Sequence, residues 1–147
     1  MDDVCFLPAI EMQSLMQRKK ISSEELLTIH LKQIETVNPK VNAVVTLVAE
    51  QALAKAREAD ERLAKGETTG LLHGLPVLHK DLQETKGIRT TYGSRIYKNF
   101  IPDIDALIIE RLKNAGAITL GKTNTPEFGA GSQTFNQVFG ETRNPYD

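Results

Sequence analysis

Apolar residues recur at three- and four-residue spacing in several stretches of this chain, separated by short apolar runs and Gly/Pro punctuation. Pro8–Lys20 reads as a short helix. Ser22 followed by Glu25 is an S-x-x-E capping box, which predicts a second helix with Leu27, Leu31 and Ile34 on its inner stripe. Asn38–Pro39 is expected to end that helix. Ala43–Val48, reading AVVTLV, predicts a buried strand. A third helix follows, with Ala49, Ala52, Leu53, Ala56 and Leu63 inward and Gly66 closing it. Leu75–His79 predicts a short strand, and TYGSRIYKNFIPD after it reads as irregular. Ile104, Leu107, Ile108, Leu112 and Ala115 carry the helical period again, Gly116 sits at the C-cap, and Ala117–Leu120 reads as a strand. From Thr123 to Asp147 no helix or strand is predicted. So long a stretch in a compact domain is functional, disordered or part of something larger. Helices alternating with short apolar strands predict an α/β fold.

One motif invites a different reading. Gly116–Thr123, GAITLGKT, matches G-x-x-x-x-G-K-S/T, the phosphate-cradling P-loop. A P-loop needs a strand before its first glycine and a helix starting at its lysine. The order here is helix, glycine cap, strand, loop, and Pro126, Gly129 and Gly131 argue against a helix after Lys122. Nucleotide hydrolysis therefore has no support beyond the bare match.

Composition narrows the remaining classes. The 147 residues carry a net charge of −1, with 25% charged and 40% hydrophobic residues. That is an ordinary globular balance with no electrostatic footprint for nucleic acid. As one domain, a chain of this length buries roughly 70% of its unfolded surface. No apolar run is long enough to span a membrane, and MDDVCFLPAIEM lacks the basic and apolar regions of a secretory signal. The single Cys5 cannot form an internal disulfide, and His30, His73 and His79 are too isolated to suggest a metal site. A cytoplasmic compartment is the expectation.

One lysine stands out by position. Lys80 follows the strand LPVLH and precedes Asp81. In open α/β sheets, sites gather at the carboxyl ends of strands, although a plain surface lysine is the common alternative.

The segment HGLPVLHKDL resembles the stretch bearing the catalytic lysine in the amidase signature family, the Ser–cis-Ser–Lys amide hydrolases. DALIIERLKNAGAITLGKTNTPEFG is similar to that family's helix–strand–loop pattern, and FGETRNPYD to its F-G-x-T-x-N-P-W/Y-D segment. The early helix pair with NPKVNAVVTLV also fits. The resemblance spans nearly the whole chain and reads GAITLGKT as a structural strand and loop beside the site. It implies α/β/α layers around a mixed sheet, incomplete in this chain, with residues 1–147 as the N-terminal portion of a single amidase domain. It implies hydrolysis of a small-molecule carboxylic amide with neither metal nor cofactor, and Lys80 as general base. A serine hydroxyl must lose its proton to attack an amide carbonyl. A lysine can accept that proton through the bridging serine only when neutral. An ordinary lysine pKa of about 10.4 must then fall to roughly 7, which a dry site can supply. Phe128 and Gly129 match the loop that borders the family's acyl-binding channel, or they only shape its turn. His79 stands where the family carries a small or aliphatic residue, either tuning the lysine or merely tolerated there.

The family's cis-serine, in a G-G-S-S-G-G type segment, and its nucleophilic serine match nothing in these 147 residues. Ser94 and Ser132 lie in no such motif. The expectation is a fragment inactive by itself, prone to homodimerise or associate through exposed apolar surface. Two alternatives stand beside it. One is the corresponding part of a glutamyl-tRNA amidotransferase A subunit, which works with partner subunits. The other is a non-catalytic binding or regulatory remnant of the fold.

Overall fold

The computed structural model describes residues 2–67 and 69–146. Asp147, which ends the F-G-x-T-x-N-P-W/Y-D resemblance, lies outside the described residues, as do Met1 and Thr68 of the expected domain. Helix α1 spans Ala9–Gln17 and α2 spans Ser23–Val41. The capping box opens α2 as the spacing predicts. Ser22 N–H donates to Glu25 Oε2 at 2.9 Å, and Glu25 N–H donates to Ser22 Oγ at 3.0 Å. The Asp60 carboxylate takes the next two amides, Ser23 N–H at 2.7 Å and Glu24 N–H at 3.1 Å.

The far end of α2 departs from expectation. The helix runs through Pro39 to Val41. A proline in the last turn removes few helical bonds, and the chain closes over it: Asn42 N–H reaches Asn38 O at 2.7 Å with Asn42 at φ +53°. Asn38 Oδ1 then accepts from Ala43 N–H and Val44 N–H, which sends the chain into strand β1, Val44–Leu47.

Helix α3 is Ala49–Ala64, β2 is Pro76–Lys80, α4 is Leu107–Asn114 and β3 is Ile118–Thr123. The three strands form one sheet in the order β1-β3-β2. β1 pairs antiparallel with β3, bringing Val44 opposite Thr123, Thr46 opposite Lys122 and Leu47 opposite Gly121. β2 lies parallel to β3: Ile118 N–H donates to Leu75 O, and further along Asp81 N–H donates to Thr123 O. The sheet is mixed, and the chain is α/β as the alternation predicts.

Two compact units share the chain. The first comprises residues up to Glu35, Val48–Val77 and Arg111–Leu120. Its core is apolar, with Met12, Met16, Leu26 and Leu75 buried together and Val4, Leu7, Ile21 and Leu72 packed around them. On α3 the buried face is Ala52, Ala56 and Ala59, small residues that permit close approach, while Leu53 and Leu63 are half-buried. His73 is buried and its Nε2 lies 3.0 Å from Ala59 O.

The second unit comprises Thr36–Leu47, Leu78–Glu110 and the chain from Gly121 on. Its buried groups are mostly polar: Asp81, Thr85, Thr90, Thr91, Ser94, Lys122, Asn124, Thr125 and Asn136. The stretch with no predicted strand carries a short antiparallel hairpin, β4 (Phe135–Asn136) with β5 (Gly140–Glu141). Side-chain amides hold it. Asn136 Oδ1 accepts from Val138 N–H and Phe139 N–H at 2.8 Å each, and Asn124 Nδ2 donates to Gly140 O and Thr142 Oγ1. Strands two residues long show no alternation, so periodicity could not reveal them.

Gly121 permits the β1–β3 approach. A Cβ there would lie 2.1 Å from the Thr46 carbonyl oxygen, a backbone atom held in the ladder. Gly121→Ala should therefore destabilise the protein by about 3 kcal/mol or more, read as a lower midpoint in urea unfolding.

Candidate active site

Lys80 is the last residue of β2. The strand runs one residue beyond its expected end, because Asp81 N–H still bonds β3 at Thr123 O, at 2.9 Å. Strand alternation sets the two neighbours apart: His79 is buried at 5% exposure and Lys80 is exposed. Gln83 N–H donates to Lys80 O at 3.0 Å and turns the chain immediately after the lysine.

Beneath that turn sits a buried polar cluster. The Asp81 carboxylate accepts from Thr91 N–H at 3.2 and 3.1 Å and from the Thr91 hydroxyl at 2.5 Å. Tyr92 N–H donates to the Asp81 carbonyl at 2.9 Å. Burial pushes the Asp81 carboxyl above its ordinary value, against the Thr91 hydrogen bonds and the charges of Lys122 and Arg89, which favour the ionised form. Lys122 is 0% exposed. Its ammonium donates to the Gln83 carbonyl, to Thr85 Oγ1 at 3.1 Å and to Thr90 Oγ1 at 2.9 Å, and lies 4.0 Å from Asp81 Oδ1.

This arrangement disposes of the P-loop reading. Lys122 lies within β3 with its ammonium spent on the protein's own oxygens, so the G-x-x-x-x-G-K-T match cradles no phosphate. The same residues were missed as a site feature. A lysine in an expected loop carries no burial signal, and the two threonines that bond it, at 85 and 90, fall in a stretch without periodicity.

Phe128 and Gly129 come to the same place. Phe128 N–H donates to Tyr92 O at 2.7 Å. A Cβ on Gly129 would meet Leu82 Cδ1 at 2.8 Å, so the 126–131 loop lies directly on the turn after Lys80. Gly129 has φ +74° and Phe128 φ +50°, both left-handed, and the latter is unusual for an aromatic residue. The Phe128 ring, 54% exposed, joins Tyr92, Tyr97 and Phe100, with ring centroids 5.1 to 6.4 Å apart. The structure thus brings Lys80, Phe128 and Gly129 together through Leu82 and Tyr92.

The two serines outside any motif do other work. Ser94 is fully buried and its hydroxyl accepts from Ile96 N–H, capping a short helical turn at Arg95–Tyr97. Ser132 is exposed and lines a depression of about 440 Å³ with Pro126, Glu127, Gln133 and Phe135. Among the described residues, no group of three His, Cys, Asp or Glu side chains could hold a metal ion. No helix there is long and apolar enough to cross a membrane.

Known proteins resemble this chain along nearly its whole length. A family described as Amidase matches residues 25–147. The chain is 46% identical over 145 residues to the A subunit of glutamyl-tRNA(Gln) amidotransferase from Carboxydothermus hydrogenoformans, covering 99% of this chain and 30% of that protein. It is 50% identical over 137 residues to the corresponding protein of Geobacillus thermodenitrificans, covering 93% and 28%. Among solved structures, a bacterial aryl acylamidase of the amidase signature family superposes with TM-score 0.90 at 32% identity, over 96% of this chain and 30% of that one. Peptide amidase from Stenotrophomonas maltophilia gives 0.86 at 34% identity, over 95% and 30%. The chain spans about 30% of the length of the relatives it matches.

The Tyr92 hydroxyl donates to Glu84 Oε1 at 2.8 Å, and its pKa is pushed from 10.0 to about 12 by burial and then by the Glu84 carboxylate. The phenol proton is therefore held more tightly in the folded state. Stability it contributes is full below pH 10 and is lost as pH rises towards 12. Urea unfolding at pH 9, 10 and 11 should show a decline with pH that is shallower in Tyr92→Phe. Equal pH slopes would mean that the Glu84 bond does not hold the proton.

Proposed function

The chain belongs to the amidase signature family, and we propose that it supplies the lysine-bearing part of an enzyme that hydrolyses carboxylic amides. The observation that carries this reading is the placement of Lys80. It ends a strand, the turn behind it is fastened to a buried cluster, and the Phe128–Gly129 loop lies against that turn.

Lys80 acts as general base through a Ser–cis-Ser–Lys relay. Its amine takes the proton of the bridging serine, which takes that of the nucleophilic serine as the latter attacks the amide carbonyl. The tetrahedral oxyanion requires backbone N–H donors from a Gly/Ser-rich loop. Its collapse breaks the C–N bond and expels ammonia or amine, which takes up the relayed proton, and water then hydrolyses the remaining acyl-enzyme to the acid and the free serine. The serines belong to segments that match nothing in these 147 residues, so residues 1–147, as the N-terminal portion of one amidase domain, turn over no amide by themselves. Lys80 is exposed in these 147 residues, and the proposed role needs a further segment to cover it. Phe128 and Gly129 border the acyl side of the site. The substrate is a small-molecule amide, the compartment the cytoplasm. Ile101, Ile104, Leu107 and Ile108, all exposed, offer apolar surface for association with a second copy.

A second reading has its own support. Identity to the amidotransferase A subunits is 46 to 50%, against 32 to 34% for the two amidase structures. In that reading the chain is the corresponding part of a glutamyl-tRNA amidotransferase A subunit, which works with partner subunits.

The test is ammonia release by a polypeptide in which this chain replaces the matching stretch of the Stenotrophomonas maltophilia peptide amidase. Turnover is expected with the joined polypeptide and none with the 147 residues alone. Lys80→Ala should lower kcat by about a thousandfold or more. Retention of activity within tenfold in Lys80→Ala would remove the lysine from the mechanism. Ammonia release that requires partner subunits would favour the amidotransferase reading.

A further inference from the structure

We propose that Lys122 is a positioning residue for Lys80: its buried ammonium clamps the turn through which Lys80 leaves the sheet. The inference rests on the role given to Lys80 above. Lys122 occupies the strand beside β2 and reaches three oxygens of the segment that follows Lys80. Those are the Gln83 carbonyl and the hydroxyls of Thr85 and Thr90. An ammonium donates through three protons, and these oxygens are buried acceptors for them. The clamp continues through Asp81, 4.0 Å away, which holds Thr91 by amide and hydroxyl and Tyr92 through its own carbonyl. The backbone on the C-terminal side of Lys80 is thereby tied. Asp81 N–H goes to β3, the Lys80 carbonyl receives Gln83, and Gln83 is pinned by Lys122.

The choice of a buried charge argues for geometry over stability. Taking an ammonium out of water costs about as much as its attraction to a carboxylate returns, and an apolar residue of similar volume commonly does as well for stability. A base that works through a bridging hydroxyl has a stricter requirement, since misplacement by about 1 Å costs orders of magnitude in rate. The segment 81–106 is irregular and has few buried apolar side chains of its own, Ile88 among them. A convergent cation gives such a segment one conformation where apolar packing could not.

The test uses the 147-residue chain and two readouts. Amide hydrogen exchange is followed by NMR in wild type and Lys122→Met, which keeps the volume and removes the three donors. Acylation of Lys80 by a small amine-reactive ester is measured by mass spectrometry relative to the exposed Lys98 of the same molecule. The expected result is exchange faster by about tenfold or more at Gln83, Thr91 and Tyr92, with Leu26 and Leu27 in α2 unchanged. The Lys80-to-Lys98 acylation ratio should change by about threefold or more, a readout that general loss of stability would not move selectively. If Lys122→Met does not fold, Thr90→Val leaves the ammonium in place with one acceptor fewer and should give the same local pattern in smaller measure. Wild-type exchange at the three amides, acceleration shared equally by α2, or an unchanged acylation ratio would each overturn the proposal. None of these outcomes touches Lys80 as base, which the ammonia assay decides separately.

Discussion

A single buried ammonium organises the second unit. Lys122 is fully enclosed, and the oxygens around it come from a segment that has neither helix nor strand to stiffen it. Without a cation at its centre, the Gln83 carbonyl and the Thr85 and Thr90 hydroxyl oxygens would lose the buried donor that Lys122 supplies, which is costly. With it, the strand β3 and the turn behind Lys80 become one piece. The neighbouring residue makes this possible, because Gly121 lets β1 come close enough for Lys122 to face inward from a strand position opposite Thr46. The first unit follows a different logic. Its helix α2 is capped by Ser22, Glu25 and Asp60, and its core is methionine and leucine packing.

Much of the frame was legible in the sequence, and the misses have physical causes. Capping chemistry located the start of α2, and helical spacing located α3 and α4. Pro39 misled because its usual helix-stopping effect is offset by the Asn38 and Asn42 side-chain and turn bonds. Ile104, Leu107 and Ile108 carry a helical period, yet all three are exposed and the helix starts only at Leu107. Spacing reports amphipathicity and says nothing of what covers the face. The hairpin at Phe135–Glu141 escaped because amides of Asn124 and Asn136, not alternation of apolar residues, build it.

The site divided in the same way. Lys80 could be picked out from its place after a strand and before Asp81, and motif resemblance attached Phe128 and Gly129 to it. The packing of Gly129 on Leu82 and the Phe128–Tyr92 bond, which set that loop on the turn after Lys80, are facts of folding that no spacing encodes. For Lys122 the sequence offers a phosphate-loop match without its context and, through the family resemblance, a structural strand and loop. Its burial depends on threonines 32 and 37 positions away along the chain. The motif G-K-T-N thus has a physical meaning of its own: a glycine for strand approach, a lysine for the clamp, and an asparagine whose side chain bonds the Gly140 carbonyl and the Thr142 hydroxyl of the hairpin segment.

The role proposed for Lys80 requires two serines outside these 147 residues, which span about 30% of the relatives' length. The most direct measurement is to read the coding DNA downstream of Asp147. That role requires an open frame, or a separately encoded polypeptide that binds this chain, carrying a Gly/Ser-rich G-G-S-S-G-G segment followed by a second serine. A stop codon after Asp147 with no such partner polypeptide would contradict it, and the role of the chain would then lie in binding or assembly.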